Sequence, residues 1–155
     1  MDTEKKEIFD DFVLKTIFVF NEQGKLSGNT FFFPEINAFD WCAWKDDRER
    51  DLAIGAVAAL CLKNCLTYFM FSSEAWISTY SQEEMEAAKA SGTDLPRPSD
   101  DPKRKEVCIC TFVSKNETYA SYAPIIEVMG KRFLGEWKNF SEEGEAKSTW
   151  QECFV

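Results

Sequence analysis

Cys65-Leu-Thr-Tyr-Phe-Met-Phe-Ser-Ser-Glu-Ala-Trp-Ile77 is dense in aromatics and apolar on both faces until Ser72. A stretch with no polar side to turn to water reads as a strand at the centre of a sheet, covered above and below. Before it, Leu52 to Leu62 is apolar on nearly all sides and rich in alanine, as a helix packed on a sheet would be, with Asp46 to Arg50 as a charged lead-in. Gly55, Ala56, Ala58 and Ala59 let that helix come close to its neighbour. Further upstream Ile8, Phe9, Phe12, Val13, Ile17 and Phe20 recur at three- and four-residue steps and predict an amphipathic helix over 4–20, against a rival strand over Thr16 to Phe20. Thr30 to Phe33 is aromatic and closed by Pro34, which predicts a short edge strand, and Phe39, Trp41 and Trp44 then fall in a loop.

Downstream, Ser81 and Glu84 have the spacing of a capping box and Gly92 can stop the helix, so a surface helix is predicted over 82–90. The segment from Gly92 to Pro102 is polar and broken by prolines, which predicts a loop. From Glu106 the pattern turns to β: Val107 to Val113, Thr118 to Val128 and Arg132 to Trp137 form a predicted meander with turns at Ser114-Lys-Asn-Glu117 and Met129-Gly130. A polar stretch, 141–147, precedes Thr149 to Val155, a predicted last strand docking Trp150 and Phe154. The expected fold is α+β: one domain over residues 1–155, two main helices on a mixed, mostly antiparallel sheet of about four to six strands with a C-terminal meander.

Composition excludes several kinds of chemistry. The chain has no histidine, so neither a Ser-His-Asp nor a Cys-His nucleophile pair can be built. Its net charge is −9, and residues 1–51 hold 12 acids and 7 bases, so more than half of the excess lies in the first third. Such a chain mimics a nucleic-acid phosphate array, steers a basic partner or uses charge for solubility. The only basic cluster, Lys103-Arg104-Lys105, follows Asp100 and Asp101, a poor footprint for nucleic acid. No apolar run approaches the ~18 residues of a membrane span and the N-terminus is not signal-like, so a cytosolic protein is expected. Gly24-Lys25 and Gly130-Lys131 lack the spacing of a phosphate loop, and no cofactor is expected.

Three constellations invite function. Strand alternation puts Tyr68, Met70, Ser72, Glu74 and Trp76 on one face, so a carboxylate ends an apolar strand. Glu74 is then either a general acid or base or one half of a structural ion pair, with Arg104 as the leading cation and Glu106 beside it. Cys61 with Cys65, and Cys108 with Cys110, are pairs that could bind metal as thiolates, but neither has zinc-ribbon spacing; buried apolar thiols are the expectation, with no metal. Phe31, Phe32, Phe33, Phe39, Trp41 and Trp44 are either core or a docking patch.

From Ser73-Glu74-Ala75-Trp76 through Pro98-Ser99, Pro102, Arg104 and Glu106-Val107, the chain resembles a group of uncharacterised bacterial and phage-associated proteins. These have a helix, an apolar strand ending in S-E-A-W, a proline-bearing loop with a P-x-R-x-E pattern, and a β-strand. The resemblance covers about residues 46 to 113 and implies a fold unit and a setting, without an activity; Asp100-Asp101 departs from the pattern. The function expected is that of a non-enzymatic accessory protein, phage or mobile-element derived, that binds another protein through an acidic or aromatic surface. The alternative is a carboxylate-based enzyme or small-ligand binder with its site at Glu74, Trp76, Arg104 and Glu106.

Overall fold

The computed structural model describes residues 1–78, 80–96, 102–139 and 149–154. Helix α1 (Thr3–Gln23) begins where the Asp2 carboxylate accepts the Lys5 N–H at 2.8 Å. It stops at Gly24, whose φ of 73° lies in the left-handed region that costs glycine nothing. The helix reading therefore holds over Thr16 to Phe20 as well, with Phe9, Phe12, Val13, Thr16 and Phe20 turned inward.

Strand β1 (Asn29–Phe33) leads into a single 3₁₀ turn, Pro34–Ile36, and strand β2 (Ala38–Cys42) returns beside it. This corrects two expectations: Phe39 to Trp41 is strand rather than loop, and β1 is interior rather than an edge. The reason is the turn. Pro34 cannot donate to a ladder but fits the start of a 3₁₀ turn, and Asn37 at φ 48° reverses the chain.

Helix α2 (Asp47–Asn64) is capped by the Asp46 carboxylate on the Glu49 N–H and closed by Cys65 at φ 52°. Strand β3 (Tyr68–Ile77) therefore starts three residues later than Cys65, because Cys65 and Leu66 close the helix and the Thr67 N–H donates to the Glu35 carboxylate. Helix α3 (Gln82–Ser91) has the complete Ser81–Glu84 capping box and the Gly92 stop that the spacing predicts. Then come β4 (Lys105–Ser114), β5 (Thr118–Val128), β6 (Lys131–Leu134) and the two-residue β7 (Lys138–Asn139). Thr149–Phe154 is a 3₁₀ turn, not the expected strand, although it does dock Trp150 and Phe154. Pro98-Ser99, Asp100-Asp101 and the polar stretch 141–147 lie outside the described residues.

The fold is α+β. The sheet order is β2-β1-β3-β4-β5-β6, with β7 also beside β5, and every described pairing is antiparallel, so the sheet is not mixed. One face carries Tyr68, Met70, Cys110 and Phe112 under α1; the other carries Phe31, Phe33, Phe69, Phe71 and Val113 under α2 and the C-terminal turn. Burial on both faces is why β3 reads apolar on both sides.

β5 pairs with β4 only as far as Val107 opposite Pro124. A proline has no N–H to offer the ladder, so β5 leaves β4 there and continues with β6 alone from Ile125. Gly135 seals the bend, its N–H donating to the Pro124 carbonyl at 2.8 Å. A Cβ on Gly135 would lie 2.9 Å from Pro124 and Ile126 side chains, so the close approach requires glycine. The bend carries β6 back toward the end of α1.

Candidate functional site

Glu74 sits where β3 emerges from under α1, on the same face as Met70 and Ser72. Opposite Trp76 in the β3–β4 register stands Glu106, which brings two carboxylates to one end of one sheet face. The cation between them is Arg132 of β6, delivered by the bend at Pro124. One guanidinium nitrogen, Nη2, donates to Glu74 Oε1 at 2.8 Å and to Glu106 Oε1, and Nη1 donates to the Gly24 carbonyl at 2.9 Å. Glu74 Oε2 accepts the Leu26 N–H at 2.9 Å. The guanidinium also lies over the Phe20 ring, 5.5 Å from its centroid.

Arg132 therefore ties α1, β3, β4 and β6 together, and as a cation at the C-terminal end of α1 it opposes the negative end of the helix dipole. The Glu74 hydrogen bond and the neighbouring carboxylates raise its pKa further. The sequence-predicted partner, Arg104, stands over the Trp76 ring at 4.6 Å. Glu74, Trp76, Arg104 and Glu106 are thus neighbours, as the sequence suggests, but the bridging cation is Arg132.

Glu74 and Arg132 are 24% and 28% exposed, between a surface pair worth under about 1 kcal/mol and a buried one whose breakage costs about 3–5 kcal/mol. Arg132→Met should therefore lower stability by about 2 kcal/mol in urea unfolding. Arg104→Met, which removes a stacked cation from an exposed ring, should cost under about 1 kcal/mol. The reverse ranking would make Arg104 the cation that holds the cluster.

The two Gly-Lys dipeptides meet in space. Gly24, Lys25, Gly130 and Lys131 line one open groove of about 550 Å³ with Arg132 in its wall. The groove faces a helix C-terminus, whose dipole disfavours an anion, and its arginine is already engaged by two carboxylates.

The cysteines divide across the sheet. Cys61 and Cys153 belong to the core under α2, Cys110 to the core under α1, and Cys108, fully buried, shares its face of β4 with Cys110. The four-thiolate combination is not assembled, and among the described residues no group of three or more metal-binding side chains converges. Burial pushes the thiols up, Cys61 to about 11 and Cys110 and Cys153 to about 12. A thiol held neutral is neither a good nucleophile nor a metal ligand.

Two acids of α1 are paired along the helix, and the excess of acids in the first third remains. Lys6 pairs with Asp10 at 3.1 Å and Lys15 with Asp11 at 2.9 Å, both exposed. This is the solvated helix face that i,i+4 pairing produces.

The aromatic run splits in two. Phe31 and Phe33 are core, and Trp44 packs against that core. Phe39 and Trp41 are 57% and 66% exposed on β2, where strand alternation puts them on one face and Phe39 stacks on Phe32 at 4.3 Å. Large apolar side chains are also exposed at Leu14 and Phe18 on α1, and at Val128 and Met129 at the tip of the β5–β6 hairpin. Among the described residues both outer strands carry exposed aromatics, β6 with Phe133 alone and β2 with two rings side by side on one face. Alternation of Phe39 and Trp41 about Asp40 was the signal in the sequence for that strand.

No family model, curated protein or solved structure matches this chain. Among the described residues no helix is long and apolar enough to cross a membrane.

Proposed function

We propose that this chain is a non-enzymatic accessory protein that binds another protein through the apolar surface at the open end of its sheet. The observation that carries the reading is the exposure of Phe39 and Trp41, while the neighbouring Phe31 and Phe33 are buried at 1%. Aromatic side chains left in water at one spot are the kind of anchor that dominates a protein interface. The engagement of Glu74 supports the same reading. A carboxylate acting on substrate needs an oxygen aimed at it, and both oxygens of Glu74 are already held, one by Arg132 and one by the Leu26 N–H.

The test is capture from lysate of the source cell, comparing the unaltered protein with Phe39→Ser/Trp41→Ser and with Leu14→Ser/Phe18→Ser. A partner retained by the first and third proteins and lost from the second is the expected result. Loss of two anchors should weaken binding by at least about 30-fold, the equivalent of about 2 kcal/mol. Equal capture by all three would remove β2 from the interface.

A further inference from the structure

Resting on that reading, we propose that the partner contributes an extended segment, apolar at alternate positions and carrying a basic residue, which adds as a strand to the open side of β2. β2 is last in the sheet order, so one side of its backbone faces β1 and the other has no strand beside it among the described residues. Such an edge is a template for a further strand.

Two apolar clefts flank it, one on each face of the sheet. The first, about 240 Å³, runs between β2 and α2; Phe31 and Phe33 line its floor and Ala53, Ala56 and Val57 its wall. It exists because α2 presents alanines there. The second, about 180 Å³, is lined by Thr30, Phe39 and Trp41 on the opposite face. Successive side chains of a strand point to opposite faces. A strand laid along β2 would thus place alternate side chains in the two clefts while its backbone bonds to the edge.

Asp40 selects the charge of that strand. It lines both clefts, and its Oδ1 accepts the Trp41 N–H at 2.8 Å, so a side chain serves an amide of the edge strand. An arriving carbonyl can take that N–H while a Lys or Arg takes the freed carboxylate, which keeps every polar group paired. The chain's charge of −9 favours the same sign of partner. A second copy is disfavoured: β2 paired with itself about its middle residue sets Asp40 opposite Asp40, and like charges directly opposite destabilise a sheet.

The test is amide NMR of the full chain, titrated with a short blocked peptide of alternating valine and threonine with a central lysine. Two controls carry a central glutamate or N-methyl groups on alternate amides. The lysine peptide should shift the amides of Ala38–Cys42 and saturate, with both controls at least about tenfold weaker. Asp40→Asn, and Ala56→Gln, which fills the cleft from the surface of a helix, should each weaken it about tenfold. Equal binding of the N-methylated peptide, or no shift at Ala38–Cys42 with any peptide, overturns strand addition. Dimerisation of the free protein through β2 also overturns it, by making a second copy the occupant. If strand addition fails in these ways while Phe39→Ser/Trp41→Ser still abolishes capture, only the mode of binding is wrong; if capture is also indifferent to that variant, both readings fall.

Discussion

Trp150→Ala should lower the stability of the chain by about 3–5 kcal/mol, the cost of emptying a large aromatic site in a core. Trp150 is 7% exposed, and its ring lies 5.0 Å from that of Phe71, 5.3 Å from Phe31, 5.8 Å from Trp44 and 6.2 Å from Phe69. It therefore links β1, β3 and the start of α2 from a turn that has no strand pairing of its own. The cavity left by alanine would be lined by rings that cannot collapse into it together. For a chain of this size each kcal/mol moves Tm by about 2–4 °C, so thermal unfolding should fall by on the order of 10 °C. Trp150→Phe should recover most of the loss. A fall in stability below about 1 kcal/mol would mean that the C-terminal turn merely rests on the sheet.

Alkali should unfold this protein earlier than its fold class would suggest. Cys61, Cys110 and Cys153 are raised from an ordinary value of 9.0 to about 11, 12 and 12, in each case chiefly by burial, and burial raises Cys108 too. The fold holds these protons and the unfolded chain gives them up above pH 9. Stability is therefore fully present below pH 9 and is lost as pH rises toward the folded values. Each thiol contributes a slope of up to about 1.4 kcal/mol per pH unit. At pH 10 four thiols together would remove about 5 kcal/mol, comparable with the whole stability of a marginal domain. Urea unfolding at pH 7.5 and pH 10 measures this, and Cys110→Ala should flatten the dependence by roughly a quarter. Equal stability at the two values would contradict the burial of these thiols.

What could be read from the sequence is what local pattern encodes. The double-sided apolar run of β3, the capping box at Ser81 and the three- and four-residue steps of α1 each express an environment that their own residues specify. What escaped depends on pairing between distant segments. Arg104 was the natural partner for Glu74 because it enters the strand that starts near Glu106, whereas Arg132 reaches Glu74 only because Pro124 ends one ladder and bends the next strand. β2 escaped for the same reason. A five-residue strand with Asp40 at its middle has a weak signal of its own, and it became a strand when the 3₁₀ turn at Pro34 set it against β1. The candidate interface at Phe39 and Trp41 was therefore visible as residues but not as an edge.

The two kinds of connection in this sheet also set an order of events. β4 and β5 are joined by a short turn, in which the Ser114 N–H donates to the Glu117 carbonyl at 2.8 Å, and they can find each other locally. β3 must wait for closure of the long segment that holds α3, and β1 for closure around α2. Loop closure is an entropic cost met before the contacts that repay it, so the β4–β5 hairpin is the natural nucleus and the recruitment of β3 the slow step. A change in the Ser114–Glu117 turn should then slow refolding.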